Sequence, residues 1–192
     1  MSKLILLLEM PGIRWSIADA HAIKSRARGA VLDVMTAVDQ YETWVYAALE
    51  EVDDVVLQDN PSAVFSRLLG IEVQNEFRVR QLDEISCLGS FAEGLKQPWR
   101  YVAQTDIQPE VEEEFNLWFE QEHLPRLASI TGTEFACRYR TNGSPRYMAC
   151  YDLVEREIHG GLEWKAAVST PWRDKIHHSF LNSKRMMFKR LA

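Results

Sequence analysis

The stretch FNLWFEQEHLPRL, residues 115–127, sets a carboxylate and an imidazole side by side at Glu122 and His123. A histidine at a helix end beside a carboxylate can titrate near neutrality and serve as general base or acid, with Glu122 orienting or charge-balancing it. On a helical wheel, at ~100° per residue, Trp118 and Phe119 fall on either side of Phe115 and Glu122 falls between them. Glu122 therefore points at whatever the aromatic stripe covers, where a desolvated carboxylate needs a partner. His123 lies ~100° further round, at the edge of that face. Pro125 disfavours helical geometry at Leu124, so the helix is expected to end at or near His123. Two structural roles stand beside the chemical one. Glu122 can pair with an arginine such as Arg138 or Arg140, and His123 can satisfy carbonyls left free at the helix C-terminus.

Arg138 and Arg140 alternate with Cys137 and Tyr139 and so share one side of a strand. One of them could hold a substrate carboxylate, enolate or phenolate. Trp118, Phe119, Tyr139, Tyr147, Tyr151 and Trp172 are the candidates for an aromatic pocket or, equally, for core. His177 and His178 are adjacent and diverge on a helix, and no HxH or HxxxH spacing occurs, so no metal site is expected. No phosphate-binding glycine loop, GxSxG elbow or dinucleotide fingerprint is present. A single axial histidine would leave no spacing signature, which keeps a haem-dependent oxidoreductase as an alternative.

These residues must be positioned by one large domain or two small ones, since the chain has 192 residues. A formal charge of -6 argues against nucleic acid or anionic lipid as the main partner. The apolar run Leu4–Leu8 stops at Glu9, too short for a membrane span and without a signal cleavage pattern; a buried first strand fits it. Cys87, Cys137 and Cys150 are odd in number and form no CxxC pair. Neither a disulfide framework nor a thiolate metal site is implied, and a cytoplasmic setting is expected.

The two halves share a pattern. Trp15, Gly29 and Trp44 match Trp118, Gly132 and Tyr147 at a constant offset. Each half reads as β-α-β-β-α-β: strands near 3–9, 30–37, 43–50 and 76–83 with helices near 15–27 and from Asn60, then strands 99–107, 133–140, 146–153 and 184–190 with helices 110–123 and from Pro171. Pro109 and the acids Glu110 and Glu112–Glu114 suit a helix start, and Asn142-Gly143 suits a hairpin turn. The expected units are 1–88 and 99–192, joined by a linker at 89–98. The fold class is α+β: two ferredoxin-like repeats whose antiparallel sheets pack as an α+β barrel.

The second half resembles the dimeric α+β-barrel superfamily, in particular its EthD-like members. The resemblance rests on Phe115, Asn116, Trp118, Phe119, Glu122, His123, Leu124, Pro125, Gly132, Arg138, Tyr139, Arg146, Tyr147, Ala149, Tyr151 and Leu153. In the first half WSIADAHAIK lacks the His-Leu-Pro sequence, so an equivalent site is not expected there. The resemblance implies the barrel but no single activity, because isomerases, cyclases, cofactor-free monooxygenases and haem enzymes share it. The leading expectation is a cofactor-independent enzyme using His123 for proton transfer on a carbonyl-containing or aromatic small molecule, as an isomerase, lyase or cyclase. A non-catalytic binding or assembly module is the rival, and a homodimer is possible.

Overall fold

A computed structural model describes residues 4–27, 30–49, 60–89 and 96–191. Gly29, one of the repeat markers, lies outside them. The chain divides into two compact units, residues 1–83 with 188–192, and residues 84–187. The class is α+β with antiparallel strands, as expected. No helix among the described residues is long and apolar enough to cross a membrane.

The first unit runs β1 (Leu4–Pro11), α1 (Ile17–Arg26), β2 (Ala30–Ala37), β3 (Glu42–Leu49), α2 (Pro61–Leu69) and the start of β4 (Arg78–Gly89). Its strand order is β4-β1-β3-β2 followed by the end of β8 (Phe180–Leu191). Ser16 and Asp19 form a reciprocal capping box at the start of α1, which satisfies two of the amides a helix N-terminus leaves free. Ala20 and Ile23 of α1, with Val64, Phe65 and Leu69 of α2, pack on Leu6, Leu8, Met10, Leu32, Val34, Val45, Ala47 and Leu49. Alternation along each strand directs these large side chains to one face, and they close it as an aliphatic core. The other face carries buried ion pairs, Glu9 with Arg80 at 2.8 Å and Asp33 with Arg190 at 2.7 Å.

The second unit takes the rest of β4, then β5 (Trp99–Ile107), a helical run, β6 (Thr133–Thr141), β7 (Tyr147–Leu153), α5 (Leu162–Val168), α6 (Pro171–Ile176) and most of β8. Its strand order is β8-β5-β7-β6-β4. Strand β4 continues to Gly89, into the expected linker, and β8 starts four residues ahead of its expected position at 184. Helix α5 was not foreseen. In β5, β7 and β6 the register pairs Tyr101 with Tyr151, Ala103 with Ala149, Arg138 with Ala149 and Ala136 with Tyr151. This face is therefore built of a few large groups around three alanines, where the first unit has leucine and valine. On the opposite face Arg100 stands across from Asp152, and Cys137 from Cys150.

Cys87 and Cys137 are joined as a disulfide between β4 and β6, while Cys150 is free and buried. The expectation of no disulfide is corrected here: a pairing between partners 50 residues apart depends on strand order, which cysteine spacing does not encode. Denatured without reductant, the protein is expected to show one reactive thiol, and three after reduction, by thiol titration. Three thiols without reductant would contradict the bond.

Candidate functional site

The helical run of the second unit begins with Pro109, whose missing N–H is harmless at a first turn. It continues as α3 (Glu112–Trp118), with three acids in its first turn. Instead of stopping at His123, it widens into a π-turn over Phe119–His123 and resumes as α4 (Leu124–Ala128). Regular geometry would have asked Pro125 for an amide it lacks and pressed its ring on the preceding turn. In the wider turn Leu124 N–H bonds to the Phe119 carbonyl five residues back, and Pro125 falls in the first turn of α4. The expected helix end is thus corrected: the run absorbs the proline by taking up one extra residue.

That extra residue changes what points where. Each inserted residue turns the following side chains back by ~100°, so His123 takes the face that a regular wheel assigns to Glu122. Its ring stacks on Trp118 at 4.2 Å and 26°, and meets Phe119 edge-on at 4.8 Å. Glu122, half-buried, accepts hydrogen bonds from Trp118 Nε1 at 3.0 Å and from Thr170 Oγ1 at 2.5 Å. Thr170 is also the N-cap of α6, accepting from the Arg173 amide. The carboxylate therefore ties the π-turn to the start of α6; it pairs with neither His123 nor the arginines of β6.

A cavity of about 310 Å³ lies within this unit, between the helices and the alanine-bearing face of the sheet. His123, Trp118, Phe119, Arg138, Tyr147 and Tyr151, all named from sequence, line it, as do Tyr101 and Phe115. Glu122, Tyr139 and Trp172 do not. Tyr139 alternates with Arg138 and so occupies the other face of β6, where burial raises its phenol well above the usual range. Arg140 shares the face of Arg138 but is exposed. His159, Trp164, Arg173, His177, Phe180 and Arg185 also line it. Their one sequence signal was the density of arginine, histidine and aromatic residues between 156 and 185.

Arg138 is 2% exposed and is surrounded by ring faces, with its guanidinium carbon 4.8, 4.4 and 4.8 Å from the centroids of Phe115, Phe119 and Tyr147. Its Nη2 donates to Asn116 Oδ1 at 2.6 Å, and its Nε has no hydrogen-bond partner. Asn116 donates onward to the Tyr147 oxygen, whose hydroxyl donates to Glu112. Burial lowers the Arg138 pKa to about 10, so it remains a cation at neutral pH. The buried Arg80, Arg100 and Arg190 each hold a carboxylate; Arg138 has none within ion-pair reach among the described residues. Tyr151, 1% exposed, has an unpartnered hydroxyl, and burial raises its pKa.

Burial pushes the His123 pKa down to about 3, and the nearby Arg173 and Arg138 push it the same way. The expectation of titration near neutrality is corrected, because the charges facing the ring are cations and not Glu122. A histidine whose folded pKa lies below its unfolded value of about 6.5 binds its proton more readily in the unfolded chain. Its contribution to stability is therefore complete above about pH 6.5 and is lost as pH falls from there towards about 3. The His123 ring resonances are expected to stay at their neutral positions from pH 8 to 5 in an NMR titration; a midpoint near 6.5 would contradict this environment.

No protein-family model matches the chain, and no curated protein does. Solved structures share its fold over almost the whole length. A candidate monooxygenase from Fusobacterium nucleatum is 8% identical over 99% of this chain and 93% of its own, with TM-score 0.68. An anthrone oxidase-like protein is 12% identical over 98% and 92%, with TM-score 0.57. A ferredoxin-fold protein related to antibiotic biosynthesis monooxygenases, from Listeria monocytogenes, is 8% identical over 98% and 95%, with TM-score 0.59. At these identities the likeness establishes the ferredoxin-like α+β fold.

Proposed function

We propose that the second unit is a small-molecule enzyme that binds an aromatic carbonyl or hydroxyl compound of two or three rings as its conjugate base, held against Arg138. The observation that carries this reading is the buried cation itself. A desolvated charge is costly unless compensated, and Arg138 has ring faces and one amide oxygen where the other buried arginines have carboxylates. An enolate or phenolate in the cavity would supply the missing charge.

The reaction that fits is proton removal from a carbon next to a carbonyl, or conjugated with one through an aromatic ring, without a cofactor, giving isomerase, lyase or cyclase chemistry. His123 is neutral and so has a free lone pair. The C–H proton passes to its imidazole, the C–H electron pair becomes the new C=C bond, and the carbonyl oxygen takes the charge facing Arg138. Burial is the main cause of the low His123 pKa, and Arg173 and Arg138 add to it; a ligand anion offsets the arginines' part, so the base strengthens as the enolate forms. Glu122 positions the π-turn that carries the histidine.

A second reading is favoured by the monooxygenase- and oxidase-like structural relatives. The same carbanion reacts with dioxygen, a methylene becoming a ketone with release of one water. Haem fits this cavity poorly, since its volume is at the low end for drug-sized ligands and His123 lies flat on Trp118. The matching element order of the two units supports reading the chain as a tandem of EthD-like repeats.

Anthrone separates these outcomes. Incubated without oxygen in deuterated buffer, its methylene protons are expected to exchange faster with the protein than with buffer alone, by mass spectrometry. Oxygen consumption in the aerobic reaction would add the second reading. Exchange at the buffer rate, with no oxygen uptake, would leave the binding-module alternative in possession.

A further inference from the structure

The cavity carries more positive charge than one enolate requires. Beyond Arg138, Arg173 and Arg185 line it, and no carboxylate among the described residues does. Arg173 meets Asp174 at 3.0 Å, but that carboxylate is 67% exposed and points outside the lining. Arg185 lies on an exposed stretch of β8, and its charge partly offsets the burial that raises the pKa of the Tyr101 phenol. The Tyr101 ring in turn stacks on His159 at 3.9 Å and meets Trp164 edge-on. Three histidines also line it, and burial first, then arginine charge, lowers the pKa of each: Arg173 and Arg138 act on His123, Arg173 and Arg185 on His177, and Arg185 and Arg156 on His159. Each is shifted toward its neutral form, so the arginines carry the positive charge of the wall. The wall thus has a buried cation at Arg138, a partly exposed one at Arg173 and an exposed one at Arg185, together with aromatic side chains.

We infer that the ligand is an aromatic acid with two separated anionic groups, an ionisable oxygen directed to Arg138 and a carboxylate at the rim between Arg173 and Arg185. This rests on the reading of the cavity proposed above. A planar carboxylate matches the guanidinium fork in a way a hydroxyl does not. A rim ion pair contributes to selection among ligands and to the speed of encounter.

The test uses 6-hydroxy-2-naphthoate and 2-naphthol, which share the ring system and hydroxyl and differ by a carboxylate at the far end. Affinities would be measured by tryptophan fluorescence quenching on the full chain. The hydroxy acid is expected to bind about tenfold tighter than the naphthol, a rim ion pair of ordinary strength. In the Arg173→Gln/Arg185→Gln double variant, whose substitutions are at exposed or partly exposed positions, that ratio is expected to fall to near one, any change in naphthol binding being shared by both probes. Equal affinity of the two probes for the parent protein overturns the inference, as does a ratio that survives the double variant. Either result leaves the Arg138 reading standing. Naphthol binding that Arg138→Gln does not weaken counts against that earlier reading instead, and binding of neither probe overturns both.

Discussion

Asp152→Ala is expected to lower stability by about 3–5 kcal/mol, the usual cost of stranding one member of a buried ion pair. Asp152 is 0% exposed and receives Arg100 Nε at 2.5 Å and Nη2 at 2.9 Å. The two residues face each other across β5 and β7, and Arg100 is itself only 7% exposed. For a chain of this size the loss corresponds to roughly 6–20 °C in melting temperature. Urea denaturation followed by circular dichroism reads it directly. Arg100→Met/Asp152→Leu is the informative companion, because replacing both charges with apolar side chains is often neutral or stabilising. A single variant that loses under 1 kcal/mol would show that the pair is wetter than its geometry implies.

Asp152 also marks the limit of sequence reading here. Its position in YMACYDL identifies an acid inside an apolar strand, but its partner stands 52 residues away and depends on β5 pairing with β7. Glu122 is the same case, since Thr170 is 48 residues distant. Strand alternation, by contrast, is local, and it correctly put Arg138 and Arg140 on one side of β6. Applied consistently, it also removes Tyr139 from any pocket that contains Arg138. The helical wheel failed at one step for a definite reason. Pro125 signals that regular hydrogen bonding must fail, and whether the chain then stops or widens depends on what the continuing helix can pack against. Here Leu124 and Leu127 are each 1% exposed, and burying them favours continuation. Helix α5 follows Gly160-Gly161 and spans seven residues, too short for its period to stand out. The cavity itself was illegible, because it arises from alanines on neighbouring strands that meet only in the folded register.

Arg138→Met is expected to move activity and stability in opposite directions. Removing a donor that stabilises a developing oxyanion typically costs about 10²–10³ in rate, and anaerobic hydrogen exchange on anthrone should fall by that factor. The same substitution removes a buried charge that has only rings and Asn116 around it. Methionine is apolar and flexible enough to fill the space between Phe115, Phe119 and Tyr147. Stability is therefore expected to rise by roughly 0.5–2 kcal/mol, in the range seen when a strained functional group is relieved. Neither half of the result would suffice alone. A slower variant that was also less stable would mean that Arg138 holds the sheet to α3 and affects turnover through the fold. A more stable variant with unchanged exchange would mean that the cation is a tolerated burden with no part in the chemistry. Only the opposed pair identifies a charge retained at a cost in stability because a bound anion needs it.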